Sequence, residues 1–427
     1  MSIKSYLRKK LPESWILFLH KLRAILAIYY YRFPAKRLKV IGITGTNGKT
    51  TTCHMIANIL EAANFKVAMA TTIDFKIGEE IRSNESRMTT LSPFALQKFL
   101  SQAVNAGCRW AVIETTSHAI DQFRNWGIKY EASVLTNVTH EHLDYHPTFT
   151  EYVSAKKKLF AISKIASINL DDENAKKFLD LPVRYLNYGL ENKKAEVYAK
   201  KILLEASRSF FTLVSPQGQM AIELSLPGKF NIYNALAAAS ICLSQDINLK
   251  YIKEGLEKTT AVAGRMEKID GSHDFTVIVD YAHTPDAFKQ IYSTLKPVVR
   301  GKIIAVFGAC GDRDRTKRPI MGAIAGKEAD YVIITNEDPY GEEPRQIMDE
   351  VAAGVPRGAS KEKPKIQGEN FWIIEERGEA IKKAFDLAQK DDLVLITGKG
   401  AETSIVVGNK KVPWSDKEKV RELLRRR

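Results

Sequence analysis

The run Leu38-Lys39-Val40-Ile41-Gly42-Ile43 passes directly into Thr44-Gly45-Thr46-Asn47-Gly48-Lys49-Thr50-Thr51, and this junction constrains the fold more than any other stretch of the chain. A short β-branched run, then glycines, then Lys-Thr reads as a strand, a tight loop and the start of a helix. The backbone N–H groups of such a loop and of the first helical turn converge on one spot, where an anion is stabilised. Lys49 is placed to reach the β- and γ-phosphates of a nucleotide, and the Thr50 hydroxyl to face Mg²⁺. The strict GxxxxGK[ST] spacing is not met, because Ile43 stands where the first glycine belongs. An ordinary glycine turn is compatible with this stretch alone, so the rest of the chain must decide.

From residue 38 onward, short β-branched runs alternate with amphipathic stretches, the pattern of an α/β fold with a largely parallel sheet. Strands are predicted at 38–43, 66–71, 109–114 and 132–136, with helices near 50–63, 93–106 and 149–162. Residues 195–226 change character and read as antiparallel strands, followed by a helix over about 231–244 after the turn Pro227-Gly228-Lys229. A second α/β unit begins near 270, with strands at 275–280, 302–307, 331–335, 371–374 and 393–397. The expected division is a basic segment 1–37, a central domain 38–263 and a C-terminal domain 264–427, with the boundary at Ala261-Val262-Ala263-Gly264. A length of 427 residues is enough for two or three domains, each with its own core.

Charge is distributed unevenly. Residues 1–40 hold ten Lys or Arg against the single acid Glu13, so most of the net charge of +14 lies there. A basic nucleic-acid binder would carry its charge across the binding domain, so that class is disfavoured. Trp15 to Tyr31 is rich in Ile, Leu, Phe and Tyr, but His20, Lys21 and Arg23 interrupt it. Charges near its centre and its length argue against a membrane span, and no small-residue cleavage site follows it. Two readings stay open: a helix docked on the body of the protein, or an interfacial helix on an anionic membrane surface. Cys53, Cys108, Cys242 and Cys310 are scattered without a CxxC pair, as expected for reduced core thiols in a cytoplasmic protein.

Three further constellations carry chemistry. The strand at 109–114 ends in Glu114, and an acid at the carboxyl end of a neighbouring parallel strand is well placed to take Mg²⁺ beside a phosphate loop. The strand at 132–136 runs into Thr136-Asn137-Val138-Thr139-His140-Glu141-His142-Leu143-Asp144-Tyr145-His146, a dense set of metal-ligating and proton-transferring groups. Lys156, Lys157 and Lys158 follow on a helix, where a lysine run by itself reads as a solvated face.

Taken in order, these pieces resemble the Mur ligase superfamily of ATP-dependent amide-bond-forming enzymes, from about residue 38 to the C-terminus. Gly228-Lys229-Phe230-Asn231, Gly264-Arg265-Met266-Glu267, Asp280-Tyr281-Ala282-His283 and Gly311-Asp312-Arg313-Asp314 extend the match. The nearest branch is the one that adds the third residue of the peptidoglycan stem peptide. The resemblance implies a P-loop-type central ATPase domain and a Rossmann-like C-terminal α/β domain behind a short basic helix. It also implies ATP and two Mg²⁺ ions. Gly45, Thr46, Asn47, Gly48, Lys49, Thr50, Thr51, Asn137, Asn234, Arg265 and Asp280 would then hold the nucleotide. Thr50, Glu114, His142 and a CO₂-carbamylated Lys156 would hold metal. Thr89, Thr90, Thr116, Gln122 and Arg124 would hold the muramoyl peptide, the first of the two substrates. The reaction implied is attack of a carboxylate on the γ-phosphate, giving an acyl phosphate that an amine then opens.

The sequence departs from the family in three places. Members carry a uridine-binding domain before the phosphate loop, for which the residues preceding Thr44 are too few, so a UDP-linked acceptor is in doubt. A lipid-linked acceptor delivered by the basic aromatic segment is the alternative within the family, and a folylpolyglutamate synthase-like activity a weaker one. Diaminopimelate-adding members have Asp-Asn-Pro-Arg where this chain has Glu337-Asp338-Pro339-Tyr340. Tyrosine cannot supply a bidentate cation, which favours a lysine-like amino acid drawn to the acids at 337, 338, 342 and 343. Finally, the family's Gly-Lys-Gly-His-Glu appears as Gly398-Lys399-Gly400-Ala401-Glu402, leaving Glu402 for the incoming amine.

Overall fold

The computed structural model describes residues 12–84, 86, 88–139, 148–205, 208–260, 262–271, 273–356 and 364–426. The chain forms two compact units, one built from residues up to Thr259 and the other from Thr260 onward, with 204–208 and 226–229 clustering with the second.

The first unit is organised by an eight-stranded sheet. Its strands are β1 (Lys39–Thr44), β2 (Val67–Ala70), β3 (Asp74–Ile77), β4 (Glu80–Ser83), β5 (Trp110–Glu114), β6 (Tyr130–Leu135), β7 (Ser163–Ile168) and β8 (Arg184–Tyr185). The spatial order is β4-β3-β2-β5-β1-β6-β7-β8. Only β3 runs against the other strands, antiparallel to β2 on one side and to β4 on the other, where β3 and β4 form an edge hairpin. β1 sits at the centre with β5 and β6 parallel on either side, so the loops leaving all three strands emerge together. That is the place where an open α/β sheet offers a crevice to a ligand.

Of these, β1, β2, β5 and β6 form where predicted because both of their faces are covered: every residue of β2 and β5 is buried. The helices of this unit are α1 (Glu13–Tyr30), α2 (Lys49–Ala62), α3 (Pro93–Asn105), α4 (Ser117–Asp121), α5 (Phe149–Ala161), α6 (Lys229–Leu243) and α7 (Leu249–Glu257). One sheet face packs Val40, Ala111 and Ile113 with Leu96 and Phe99 of α3 and with Leu159 and Phe160 of α5 in a single core. α5 starts at a capping box in which Thr148 accepts from the Glu151 N–H and the Glu151 side chain answers back. A smaller sheet of β9 (Tyr188–Gly189), β10 (Val197–Leu204), β11 (Ser209–Ser215) and β12 (Gly218–Leu224) adds the expected change of character. There β11 and β12 pair antiparallel, Phe211 opposite Ile222.

Within the N-terminal segment, α1 is docked by one face. Ala24, Ala27 and Ile28 are buried, α1 packs against α3, and the Lys21 ammonium lies 4.5 Å from the Trp126 ring centroid. No helix among the described residues is long and apolar enough to cross a membrane.

The second unit is a six-stranded sheet ordered β13-β14-β18-β15-β16-β17. Its strands are β13 (Glu267–Lys268), β14 (Thr276–Asp280), β15 (Ile303–Phe307), β16 (Tyr331–Ile334), β17 (Phe371–Ile373) and β18 (Leu393–Thr397), parallel except for β13. The helix Arg377–Leu387 covers one face, burying Ile381, Ala384 and Phe385 against Val277, Val306 and Val394. A final hairpin, β19 (Ser404–Val407) and β20 (Lys410–Pro413), follows β18.

Candidate active site

The loop from β1 to α2 has the geometry of an anion cradle. Gly48 caps α2 in the left-handed region at φ 83°, with no side chain bonded to the exposed helix end. The first four N–H groups of a helix have no intrahelical acceptor, and their dipoles add at that end. A Cβ on Gly48 would lie 2.2 Å from Asn234 Oδ1, and one on Gly45 1.8 Å from Thr136 Oγ1. Glycine is therefore required at both positions by contact as well as by φ. The loop is clamped from β6. The Thr46 N–H donates to the Asn137 carbonyl at 2.9 Å, the Asn47 N–H to Asn137 Oδ1 at 2.9 Å, and Thr136 Oγ1 to the Asn47 carbonyl at 2.6 Å. Asn137 thus shapes the loop through both its backbone and its side chain, and Asn234 of α6 braces it from behind. Lys49 Nζ donates to the Thr46 carbonyl at 2.7 Å, folded over the loop it would vacate for a phosphate, and Thr51 lies in the first turn of α2.

Glu114 ends β5 as expected and is buried against this loop. Its Oε2 accepts from Thr50 Oγ1 at 3.0 Å, from the Thr72 N–H at 2.8 Å and from Thr72 Oγ1 at 3.0 Å. Mg²⁺ usually takes one or two protein oxygens and completes its shell with water and phosphate. A threonine hydroxyl and a carboxylate oxygen 3.0 Å apart fit that requirement. Among the described residues no three His, Cys, Asp or Glu side chains form a larger metal cluster. His142 and the rest of 140–146 lie outside the described residues.

Lys156 is on the buried face of α5, 1% exposed, and its Nζ donates to the Gly45 carbonyl at 2.9 Å. The ammonium also lies 4.4 Å from the Tyr152 ring centroid, and Tyr152 OH is 3.0 Å from Thr46 Oγ1. Its neighbours behave differently. Lys157 pairs with Asp180, and Lys158 with Asp121 at 3.0 Å, both at the surface.

The five residues expected to hold the muramoyl peptide form one network around Glu114. Thr90 Oγ1 donates to the Glu114 carbonyl at 2.9 Å and accepts from the Thr116 N–H at 3.0 Å. Arg124 donates to the Thr90 carbonyl at 2.9 Å and to Gln122 Oε1 at 2.7 Å, while Thr72 Oγ1 lies 3.1 Å from Thr89 Oγ1. Thr116 also caps α4. Thr72 was not anticipated from the sequence, although it follows the apolar run of β2 much as Thr115 follows β5.

In the second unit, Asp280 accepts the Met266 and Ala282 N–H groups at 2.6 Å each, and Arg265 lies over the Tyr281 ring at 4.5 Å. Burial raises the Asp280 carboxyl above its usual range against the opposing pull of Arg265. The acids after β16 are not equivalent. Asp338 accepts from Lys399 Nζ at 2.8 Å and from the Val406 N–H at 2.7 Å, and Glu402 pairs with the same Lys399. Glu342 is bound by Arg318. Glu337 is buried, takes the Cys310 thiol on Oε1 at 3.0 Å, and its Oε2 has no hydrogen-bond partner among the described residues. That oxygen lies where a Cβ on Gly398 would be, 2.3 Å away. Tyr340 adopts φ 49° beneath Arg313, 5.7 Å from its ring centroid.

A phosphate loop on a central parallel strand, an acid on the next strand and a second Rossmann-like sheet define a nucleotide-dependent group-transfer enzyme. The Mur ligase middle-domain model matches residues 43–242, and the Mur ligase glutamate-ligase-domain model matches 264–400. The UDP-N-acetylmuramoyl-L-alanyl-D-glutamate–2,6-diaminopimelate ligase 1 of Clostridium acetobutylicum is 37% identical over 98% of this chain and 85% of its own length. The UDP-N-acetylmuramyl-tripeptide synthetase of a Roseiflexus species is 39% identical over 94% of this chain and 81% of its own. A solved UDP-N-acetylmuramoyl-L-alanyl-D-glutamate–2,6-diaminopimelate ligase aligns at 33% identity with a TM-score of 0.65, covering 95% of this chain and 83% of that one. The chain belongs to the Mur ligase family, the ATP-dependent acid–amino-acid ligases of peptidoglycan synthesis. Enzymes of this family use ATP and Mg²⁺.

Proposed function

We propose that this chain joins an amino acid to the free carboxylate of a UDP-N-acetylmuramoyl dipeptide, dividing the work between a domain ending at residue 263 and another beginning at Gly264. The observation that carries the reading is the convergence of Lys49, Thr50, Glu114 and the buried Lys156 on one glycine loop. The acceptor carboxylate oxygen attacks the γ-phosphorus, the bond to the bridging oxygen breaks, and ADP leaves. The amine then attacks the acyl phosphate carbonyl, loses a proton, and phosphate departs. Two anions must meet, so the work of the protein is electrostatic and positional. Lys49 swings from the Thr46 carbonyl to the phosphates, and the α2 N-terminus cradles them. Thr50, Glu114 and His142 would hold Mg²⁺ ions, which neutralise phosphate oxygens when bound. Lys156, once deprotonated, would add CO₂ through Nζ to give a carbamate, converting a buried cation into an anionic group beside the loop. Thr89, Thr90, Thr116, Gln122 and Arg124 would orient the muramoyl peptide, and Asn234, Arg265 and Asp280 the nucleotide.

For the amino acid we propose a cationic tail such as that of lysine. This reading is supported by the sequence, which has Tyr340 in the motif position of the diaminopimelate-adding members' arginine, and by the Glu337 Oε2, which has no hydrogen-bond partner among the described residues. Asp338 and Glu402 support this less directly, because Lys399 already engages both. The test is ADP release with UDP-linked muramoyl dipeptide, a lipid-linked muramoyl peptide or a folate as acceptor, each against lysine, diaminopimelate, ornithine and glutamate. Turnover with the UDP-linked dipeptide plus lysine is expected. Turnover with diaminopimelate alone, or with folate and glutamate, would overturn the assignment.

A further inference from the structure

The helix α1 is apolar on two opposite faces, and only one of them is packed. With 3.6 residues per turn, Trp15, Phe18, Leu19, Leu22, Leu26, Tyr29 and Tyr30 fall within an arc of about 120° along about 22 Å of helix. All seven are between 41% and 73% exposed. No other residue of the helix falls in this arc, and Arg23 lies at its border. A contiguous apolar stripe of this size is more than scattered surface hydrophobes explain. The opposite face is occupied: Ala24, Ala27 and Ile28 are buried, and Lys21 is held over Trp126. The exposed stripe is therefore rigidly presented by the body of the protein.

Charge selects the occupant. The exposed Arg32, Lys36 and Arg37 follow the helix directly, and Lys4, Arg8, Lys9 and Lys10 precede it in sequence. A second copy of the chain would bring an equally positive surface against this one, whereas an anionic bilayer complements it. On a helix lying flat, Tyr29 and Tyr30 toward the margins of the arc suit the headgroup level, with Trp15, Leu22 and Leu26 at its centre toward the acyl chains. We propose that α1 lies flat on an anionic membrane surface through this stripe, holding the ligase at the bilayer as a peripheral protein. This stands independently of which substrates the ligase takes.

Flotation of the full chain with phosphatidylcholine vesicles, with and without one-third phosphatidylglycerol, tests it. Binding to the anionic vesicles at least about tenfold above neutral ones, weakened by about 0.5 M salt, is expected. A Leu22→Glu/Leu26→Glu variant should lose at least about tenfold of that binding, with soluble-substrate ADP release and melting temperature unchanged. Arg32→Gln/Lys36→Gln/Arg37→Gln should lower anionic binding while leaving neutral binding alone. Equal behaviour with and without vesicles, or undiminished binding by the glutamate variant, would overturn the proposal. So would a dimer in sedimentation velocity that the glutamate variant splits, which would assign the stripe to a second copy.

Discussion

Replacing Gly48 by alanine isolates what the phosphate loop demands of its backbone. At φ 83° an L-residue loses about 1 kcal/mol relative to glycine. The new Cβ would lie 2.2 Å from Asn234 Oδ1, so Asn234 must move. Its Nδ2 donates to Asn231 Oδ1 at 3.2 Å and its Oδ1 accepts from Thr52 at 3.5 Å, and displacement strains both. A buried hydrogen bond contributes about 1 kcal/mol, so the total loss is about 2–3 kcal/mol. For a unit of this size that lowers the melting temperature by about 5–10 °C. A shift of the loop N–H groups weakens ATP binding at least about tenfold, since about 1.4 kcal/mol accounts for each factor of ten. Gly107→Ala is the control, because its φ of 76° is similar but nothing lies within 4 Å of the added Cβ. Scanning calorimetry and nucleotide titration on both variants separate strain from contact. A Gly48 variant no worse than the Gly107 variant would refute the argument that Asn234 braces the loop.

Three further outcomes follow from the same geometry. Lys156→Ala should lower ADP release by at least about 100-fold, the scale on which loss of one electrostatic stabiliser is felt, and removal of CO₂ should mimic it in the unmodified chain. Glu114→Gln should raise the Mg²⁺ concentration for half-maximal activity while leaving the unfolding free energy within about 1 kcal/mol of the parent, because the amide keeps an acceptor for Thr50 and Thr72. Glu342, held by its hydrogen bonds to Arg318 at about 2 against an ordinary carboxylate value of 4.5, gives stability that is complete above about pH 4.5 and lost as pH falls toward 2. Glu342→Gln should flatten that acid limb in a pH series of thermal melts, by about 1 kcal/mol for this partly exposed cluster.

What the sequence reveals depends on whether the partner of each residue is local. β1, β5, β14 and β18 are legible as β-branched runs because both faces of a parallel strand are buried. The β3–β4 hairpin is not, since its residues are half-buried or exposed and carry no continuous apolar signal. Nor is β7, which starts directly after the end of α5 and is masked by its helical pattern. Lys156 reads as part of a solvated run in the sequence and is set apart only by the family resemblance, although its spacing to Tyr152, Val153, Leu159 and Phe160, all buried on the same helix face, carries the signal. The basic segment resolves in part: it docks by one face as one reading held, and its other face still presents the features of the second. The acids near 337 do not stand as one equivalent cluster. Their charge is largely matched by Lys399 and Arg318, and the Lys399 partner arrives 61 residues later, beyond any local pattern. Thr72 hides for the same reason, its tie to Glu114 spanning 42 residues.

In the proposed reaction the loop at Gly45–Thr50 activates a carboxylate by phosphorylating it. Turnover of an acceptor labelled with ¹⁸O in its free carboxylate tests this directly, by mass analysis of the released phosphate. One ¹⁸O atom in phosphate is expected for each amide bond formed. Amide formation with unlabelled phosphate would contradict it.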